Sequence, residues 1–338
     1  MSRPPSLRLN PAELRRDLVE ARSAEAGERA LDVGMRSGSV TRLVHPALAV
    51  ALTGAIFALL LRGVPFAALV RALTGADYRL FLAVMVPNTI FYFAWDTLLL
   101  TVVVRWFHGA VRYRDLLPVR AASYVVGFFN TNLGRGVLAG YLSRRLHAPF
   151  LELGSTVVFL VLTEYTQLVI WSMLGLFAFR ADVSRSLMLT AAAVALLWLV
   201  VRWLLAPRNW SLARTFHLAT PRRYAQIVAL RAPMFVVSLC AHYYAARAFG
   251  FRIPFAQMLV FLPVIFMLAA VPVTVAHLGT TQAAWVFFFS AYAPPSQLLA
   301  FSLAAHLVFA STRAILGIAW LPSAYFDLVP ARAESLRA

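Results

Sequence analysis

The chain has 338 residues, 61% of them hydrophobic, a mean hydropathy of +0.74 and only 13% charged residues. A soluble domain is near half apolar and about a quarter charged, so the two soluble domains suggested by length give way to one polytopic membrane domain. The formal charge of +17 comes entirely from Arg. These Arg fall in short segments between apolar runs, where they act as topology signals and contacts for anionic headgroups, so nucleic acid is not an expected partner.

Residues 1–43 precede the first strongly apolar run and form an expected cytoplasmic Arg/Glu-rich tail, partly disordered. Asn10, Pro11 and Glu13 read as a helix start, but only Leu14, Leu18 and Val19 follow as apolar anchors. The apolar run beginning near Val44 is too late and too long for a cleaved signal peptide. The main domain is expected over 44–322, and a short cytoplasmic tail over 323–338.

Apolar periodicity and run length predict membrane helices near 44–61, 80–104, 151–178, 187–205, 227–248 and 298–320. Two further pieces do not read as simple crossings. Residues 121–133 make about 20 Å of helix, short of a ~30 Å hydrocarbon core, and are expected to enter and turn back. Residues 255–276 are interrupted by Pro263 and Pro272 and run into "HLGTT" before a short apolar stretch ending near Tyr292. The predicted fold is therefore an all-α bundle of about six full spans plus two opposed re-entrant hairpins, arranged like an inverted repeat.

Orientation follows from Arg. With the N-terminus inside, the inner segments hold 22 Arg against seven outside, which places both termini in the cytoplasm and the protein in the inner membrane.

The first hairpin carries "NTNLGRGVLAGYLSRR", Asn130 to Arg145, expected as a glycine-broken polar loop. Setting "TNLGRGVLA" over "AHLGTTQAA" superposes Leu133-Gly134 on Leu278-Gly279. Unwound backbone in hydrocarbon must be sheltered by protein or water, and a following helix start offers free N–H groups to an anion. Asn130, Asn132, Arg135 and Gly136 in the first loop, and His277, Gly279, Thr280, Thr281 and Gln282 in the second, are the candidate lining residues. The plainer reading of Gly136 and Gly140 is helix packing through a GxxxG spacing.

Ionisable groups within spans face the bundle interior. Glu164 and Gln167 are nearly one turn apart and share a face, either as part of a ligand pathway or with Glu164 partnering an Arg. Asp96 and Arg313 are candidate intramembrane charge partners, and Arg231 is expected to snorkel toward the cytoplasmic interface.

These segments together resemble the transmembrane region of lysylphosphatidylglycerol synthases and the wider flippase-like membrane proteins. The resemblance rests on Arg105-Trp106 ending the second span, "FFNTNLGRG" with "YLSRR" after it, "LTEYTQL", and "VPVTVAHLGTTQAAW", in that order over residues 44–322. It implies roles for Asn130, Arg135, Gly136, Glu164, Pro272, Gly279 and Gln282. Leu133 stands where such proteins usually have Pro, no acid follows Arg135 closely, Tyr165 replaces an Arg and Gln282 a Glu. The chain ends about eighteen residues after the last span, so lysyl transfer is not expected.

The function these features predict is binding and translocation of a lipid, a phospholipid or a polyprenyl-phosphate-linked one, through a polar cavity between the two re-entrant loops. Anionic lipids at the cytoplasmic face, and a lipid-modifying or glycosyltransferase enzyme, are the candidate partners. Two alternatives remain: a membrane-embedded transferase using Glu164 or Asp96 as base, and a non-catalytic anchor for a cytoplasmic enzyme.

No cofactor is expected. Between 44 and 326 no two acidic residues lie within ten positions, and HExxH, GxSxG and Walker patterns are missing. Cys240 is the only cysteine, so thiols cannot build a disulfide or a zinc site. No metal site is expected either.

Overall fold

The structure, a computed structural model, describes residues 53–56, 58–129, 131–146, 148–179, 214–269 and 279–328. These residues belong to the second of two units into which the chain divides, Thr53–Ala338, the first being Met1–Leu52. Every regular element among them is helical: α1 Phe66–Thr74, α2 Tyr78–Phe107, α3 Tyr113–Phe129, α4 Thr131–Leu146, α5 Phe150–Phe179, α6 Arg214–Leu218, α7 Pro221–Ala248, α8 Phe255–Ala269, α9 Thr280–Phe289 and α10 Pro295–Leu328.

Four helices, α2, α5, α7 and α10, are long and apolar enough to cross a membrane, and they match the spans expected at 80–104, 151–178, 227–248 and 298–320. The expected span 44–61 is represented by Thr53–Arg62, which meets α1 at 94°, giving a fifth span if the bent pair counts as one. The expected span 187–205 lies outside the described residues.

Local chemistry explains where the long helices begin. Asp77 caps α2, its carboxylate accepting from the backbone N–H of Arg79 and Leu80, each at 3.1 Å. Thr220 caps α7 by accepting from Arg223 N–H, with Pro221 in the first turn, where its missing N–H costs nothing. Inside α2, hydroxyls at Thr89, Thr97 and Thr101 donate to the carbonyls of Met85, Phe93 and Thr97. No hydroxyl there is left unpaired in an apolar setting.

The segment 131–146 corrects the sequence expectation of an irregular polar loop, because it forms the helix α4. Glycine in the left-handed region among the described residues is found at Gly109, Gly250 and Gly279, not at Gly134, Gly136 or Gly140. Gly134 serves close approach instead: a Cβ placed there would sit 2.7 Å from the Ser123 carbonyl oxygen and 2.8 Å from the Gly127 Cα. The backbones of α3 and α4 therefore touch, which makes them a closely packed pair. At 17 and 16 residues they reach only about 24–26 Å, less than a hydrocarbon core. The GxxxG reading also shifts, since a Cβ on Gly136 meets nothing within 4 Å and one on Gly140 only Phe150 at 3.9 Å.

A second pair of short helices, α8 with 15 residues and α9 with 10, also packs against itself. The long helices tie the pairs together: α5 touches both α4 and α8, and α10 touches both α3 and α9. Glycine again allows the approach. A Cβ on Gly317 of α10 would lie 2.6 Å from the Ala121 carbonyl oxygen, and one on Gly175 of α5 would lie 3.0 Å from Val260. Ser172 beside it donates to the Val260 carbonyl at 3.1 Å.

The ends of the helices sort into two groups. Asp77 N–H donates to the Ala248 carbonyl at 2.8 Å, joining the start of α2 to the end of α7. At the opposite end, Arg145 pairs with Asp115 at 2.8 Å, and His108 bonds Thr156, which bonds Thr215, at 2.6 and 3.0 Å. The ends of α2 and α4 and the starts of α3, α5 and α6 thus share one level.

Replacing Gly134 by Val should force α3 and α4 apart and cost about 1–3 kcal/mol, whereas Gly136→Ala, whose methyl has open space, should be neutral or slightly stabilising. Thermal midpoints of the two purified variants measure this directly. Equal losses would remove the distinction between the two glycines.

Candidate functional site

Charged side chains from five helices meet within the apolar bundle in two linked groups. In the first, Asp96 of α2 accepts from Arg120 of α3, whose Nε lies 2.7 Å from Oδ2 and whose second guanidinium nitrogen also contacts it. The Tyr124 hydroxyl, one turn on from Arg120, donates to the same oxygen at 3.1 Å. Arg313 of α10 lies over the Tyr124 ring, 3.5 Å from its centroid, and 5.0 Å from that of Phe309. Asp96 is thus closed in by a charged donor and a neutral one, the arrangement a buried carboxylate needs.

The second group centres on Glu164 of α5. Tyr92 of α2 donates to its Oε1 at 3.3 Å, and a guanidinium nitrogen of Arg231 stands 3.9 Å from its Oε2. Both contacts are long, and the Glu164 side chain is 36% exposed. Arg231 of α7 is only 2% exposed, which corrects the expectation that it snorkels to an interface. Its Nε donates to Thr163 Oγ1 at 3.1 Å, and a terminal nitrogen donates to the Leu160 carbonyl at 2.9 Å. Arg231 is therefore fixed mainly by a hydroxyl and a backbone carbonyl on α5, and Glu164 is only loosely engaged.

Aromatic side chains join the groups. The Tyr92 ring packs edge-on against Phe309, 5.4 Å between centroids, and Phe309 is one turn before Arg313. Tyr92 thus touches Glu164 directly and the Arg313 helix through Phe309. Trp95 donates to the Leu230 carbonyl at 2.7 Å and so holds α2 against α7 beside Arg231.

The expected site residues distribute unevenly about this cluster. Asn130 and His277 lie outside the described residues, and Asn132 falls in the first turn of α4. Arg135 of α4 is half-buried. Gly136 is on an open side of α4. Gln167 is buried beside the Glu164 face, and its Oε1 accepts no hydrogen bond.

Asp96 and Arg313 are not an ion pair: Asp96 belongs to Arg120, and Arg313 to the Tyr124 ring. Gly279 starts α9 at φ +95°, and a Cβ there would press on Ile56 at 3.2 Å. Thr281 lies in the first turn of α9. Gln282 is fully buried, and its Oε1 accepts from Gly279 N–H at 2.6 Å. Gln282 thus acts first as a helix cap, and no hydrogen bond links it or Gly279 to Glu164.

Three members of the cluster, Tyr92, Arg120 and Tyr124, were not read from the sequence as site residues. Arg120 falls among the basic residues before an apolar run and reads as a topology signal. Its distinguishing feature is position, seven residues inside α3 with Tyr124 one turn on.

At the level of the α2–α3 connection the charges are of another kind. Arg223 lies 5.7 Å from the Trp106 ring and 5.6 Å from Phe107, and Arg214 pairs with Glu152. His108 is held below its ordinary pKa by burial, an effect Arg214 reinforces and Glu152 opposes. At neutral pH the imidazole adds no charge there, and the positive character comes from Arg.

Helices of membrane length with ionised residues paired in their interior define a polytopic integral membrane protein. The family model for the lysylphosphatidylglycerol synthase TM region matches residues 47–317, and the chain belongs to that family. No curated protein matches the sequence significantly.

Removing one partner of the Asp96–Arg120 pair leaves the other buried without a counter-charge. Asp96→Asn or Arg120→Met alone should each cost about 3–5 kcal/mol, and the double variant clearly less than their sum. Denaturation of the four proteins in one detergent gives the coupling, and strict additivity would mean the pair is not the stabilising unit.

Proposed function

We propose that the protein binds a membrane lipid, a phospholipid or polyprenyl-phosphate-linked one, by its headgroup at the Glu164–Arg231 and Asp96–Arg120 cluster and assists its passage between leaflets. The observation that carries this reading is the state of Glu164. It is a partly exposed carboxylate held only by long contacts, about 21 Å along a membrane-length helix, next to a fully engaged Arg. A carboxylate serving structure alone would be closed in, as Asp96 is. Membership of the family supports a membrane lipid as ligand.

In this reading the pairs α3/α4 and α8/α9 are two re-entrant hairpins entering from opposite faces, with residues 187–205 as a sixth span. Their parallel placement against α5 and α10 supports an inverted repeat. The Arg-rich level of Arg112, Arg114, Arg144, Arg145, Arg222 and Arg223 is the cytoplasmic face, where it meets anionic lipids of the inner membrane, and both termini lie on that side. Gln167, nearly one turn from Glu164 on the same helix, holds a buried side-chain oxygen with no hydrogen bond, an acceptor the site can offer the headgroup.

Purified protein reconstituted into liposomes with labelled phospholipids and labelled polyprenyl phosphate tests the proposal. Exchange between leaflets should accelerate, and Glu164→Gln should slow it about tenfold, the loss of one charged contact of about 1.4 kcal/mol, without lowering the thermal midpoint. No acceleration with any lipid of either class would reject the reading.

A further inference from the structure

The charges of the cluster do not balance. Asp96 and Glu164 face Arg120, Arg231 and Arg313, so two carboxylates stand against three guanidinium groups. Arg120 and Arg231 are accounted for by Asp96, Glu164, Thr163 and the Leu160 carbonyl. Arg313 is not. Its Nε is buried and has no hydrogen-bond partner, and no ion pair or hydrogen bond engages the rest of its guanidinium among the described residues.

An Arg that is stacked but not hydrogen-bonded is in a particular chemical state. The Tyr124 face at 3.5 Å holds the plane of the Arg313 guanidinium and offsets part of its desolvation. Stacking uses the face and leaves the edge, where all five N–H donors lie in a fork that matches two oxygens of a phosphate. The Tyr124 hydroxyl is committed to Asp96, so the ring beneath Arg313 is itself fixed. The result is an oriented donor with no acceptor, at membrane depth and in a cluster with excess positive charge.

We propose that Arg313, stacked on Tyr124, is the phosphate-binding residue of the lipid site, and that the protein selects lipids whose headgroup carries net negative charge over zwitterionic and aminoacylated ones. The shared chemistry is a lipid phosphate, either a diester such as phosphatidylglycerol or a monoester such as polyprenyl phosphate. The assignment rests on the lipid-binding reading above but concerns equilibrium recognition, not transport. A cationic aminoacyl headgroup would add to an excess of like charge that the cluster already carries.

Competition binding of the full chain in nanodiscs separates the possibilities, with phosphatidylglycerol, polyprenyl phosphate, phosphatidylcholine and lysyl-phosphatidylglycerol as probes and native mass spectrometry as readout. The wild type should prefer one or both net-anionic lipids about tenfold or more over the other two, two charge-assisted hydrogen bonds being ample for that ratio. Arg313→Gln should bring the preference close to unity with an unchanged thermal midpoint, and Arg313→Lys, which keeps charge but not the flat fork, should restore only part of it. The relative retention of the two anionic probes tells diester from monoester recognition.

A wild type that holds the aminoacylated or zwitterionic lipid as well as the anionic ones, or an Arg313→Gln protein with full preference, overturns the proposal. Accelerated exchange with no charge preference would defeat this assignment and leave translocation standing. A charge preference without exchange would do the reverse.

Discussion

An ionised side chain in hydrocarbon has to be answered by another group, at a cost of at least ~2.5–3.5 kcal/mol on insertion scales when it is not. That constraint decides how α2, α3, α5, α7 and α10 meet. Asp96 on α2 fixes the depth of α3 through Arg120 and Tyr124, because both donors converge on one carboxylate oxygen. Arg231 fixes α7 against α5 through Thr163 and the Leu160 carbonyl. The two anchors share α2, which reaches α5 through Tyr92 and α7 through Trp95. Apolar contact alone gives little direction to helices in a lipid solvent, since lipid chains are as apolar as Leu. The polar contacts supply that direction.

Close packing then supplies the attraction. Gly134 against Gly127 and Gly317 against Ala121 put backbones at distances that no side chain would allow, and Gly175 lets α5 come close to Val260. These contacts lie along α3, α4, α5 and α10, the elements that frame the charged cluster. The far half of the bundle uses a different means, an aromatic core in which His242, Trp285, Phe289 and Phe301 stack or meet edge-on. His242 is also bonded to the Ser238 carbonyl at 2.7 Å and so belongs to the core. One part of the bundle is polar at its centre and held by glycine contacts, and the other is sealed by rings.

Much of the helix plan was legible because it depends on run length and hydropathy, which α2, α5, α7 and α10 display over 28 to 34 residues. The state of 131–146 was not. Three glycines and six polar or charged residues suggest a loop, but helix or loop there is decided by whether Gly134 finds another backbone to touch, and Gly127 lies on a different element. Arg231 was misread for a similar reason. An Arg near a helix start snorkels when its neighbours are lipid, and stays inside when Thr163 and a carbonyl on α5 await it. Glu164 was legible as an acid in an apolar run, but its loose attachment depends on a distance to Arg231 that spacing does not carry. Asp96 likewise announces the need for a partner, and only the fold selects Arg120 over Arg313.

That selection has a consequence for Arg313. Had Asp96 paired with Arg313, the two would have cancelled and α3 would have entered the membrane with an unanswered Arg120. Because Arg120 takes the carboxylate and Tyr124 turns its hydroxyl to the same oxygen, the ring is left face-up as a platform, and Arg313 settles on it as a cation without an anion. A ring quadrupole attracts a cation but does not neutralise it, so Arg313 keeps its charge within the cluster. The same closed pair that stabilises α2 against α3 thereby keeps a positive charge open at membrane depth. The packing of α2 on α3 and the open charge of Arg313 both depend on one aspartate.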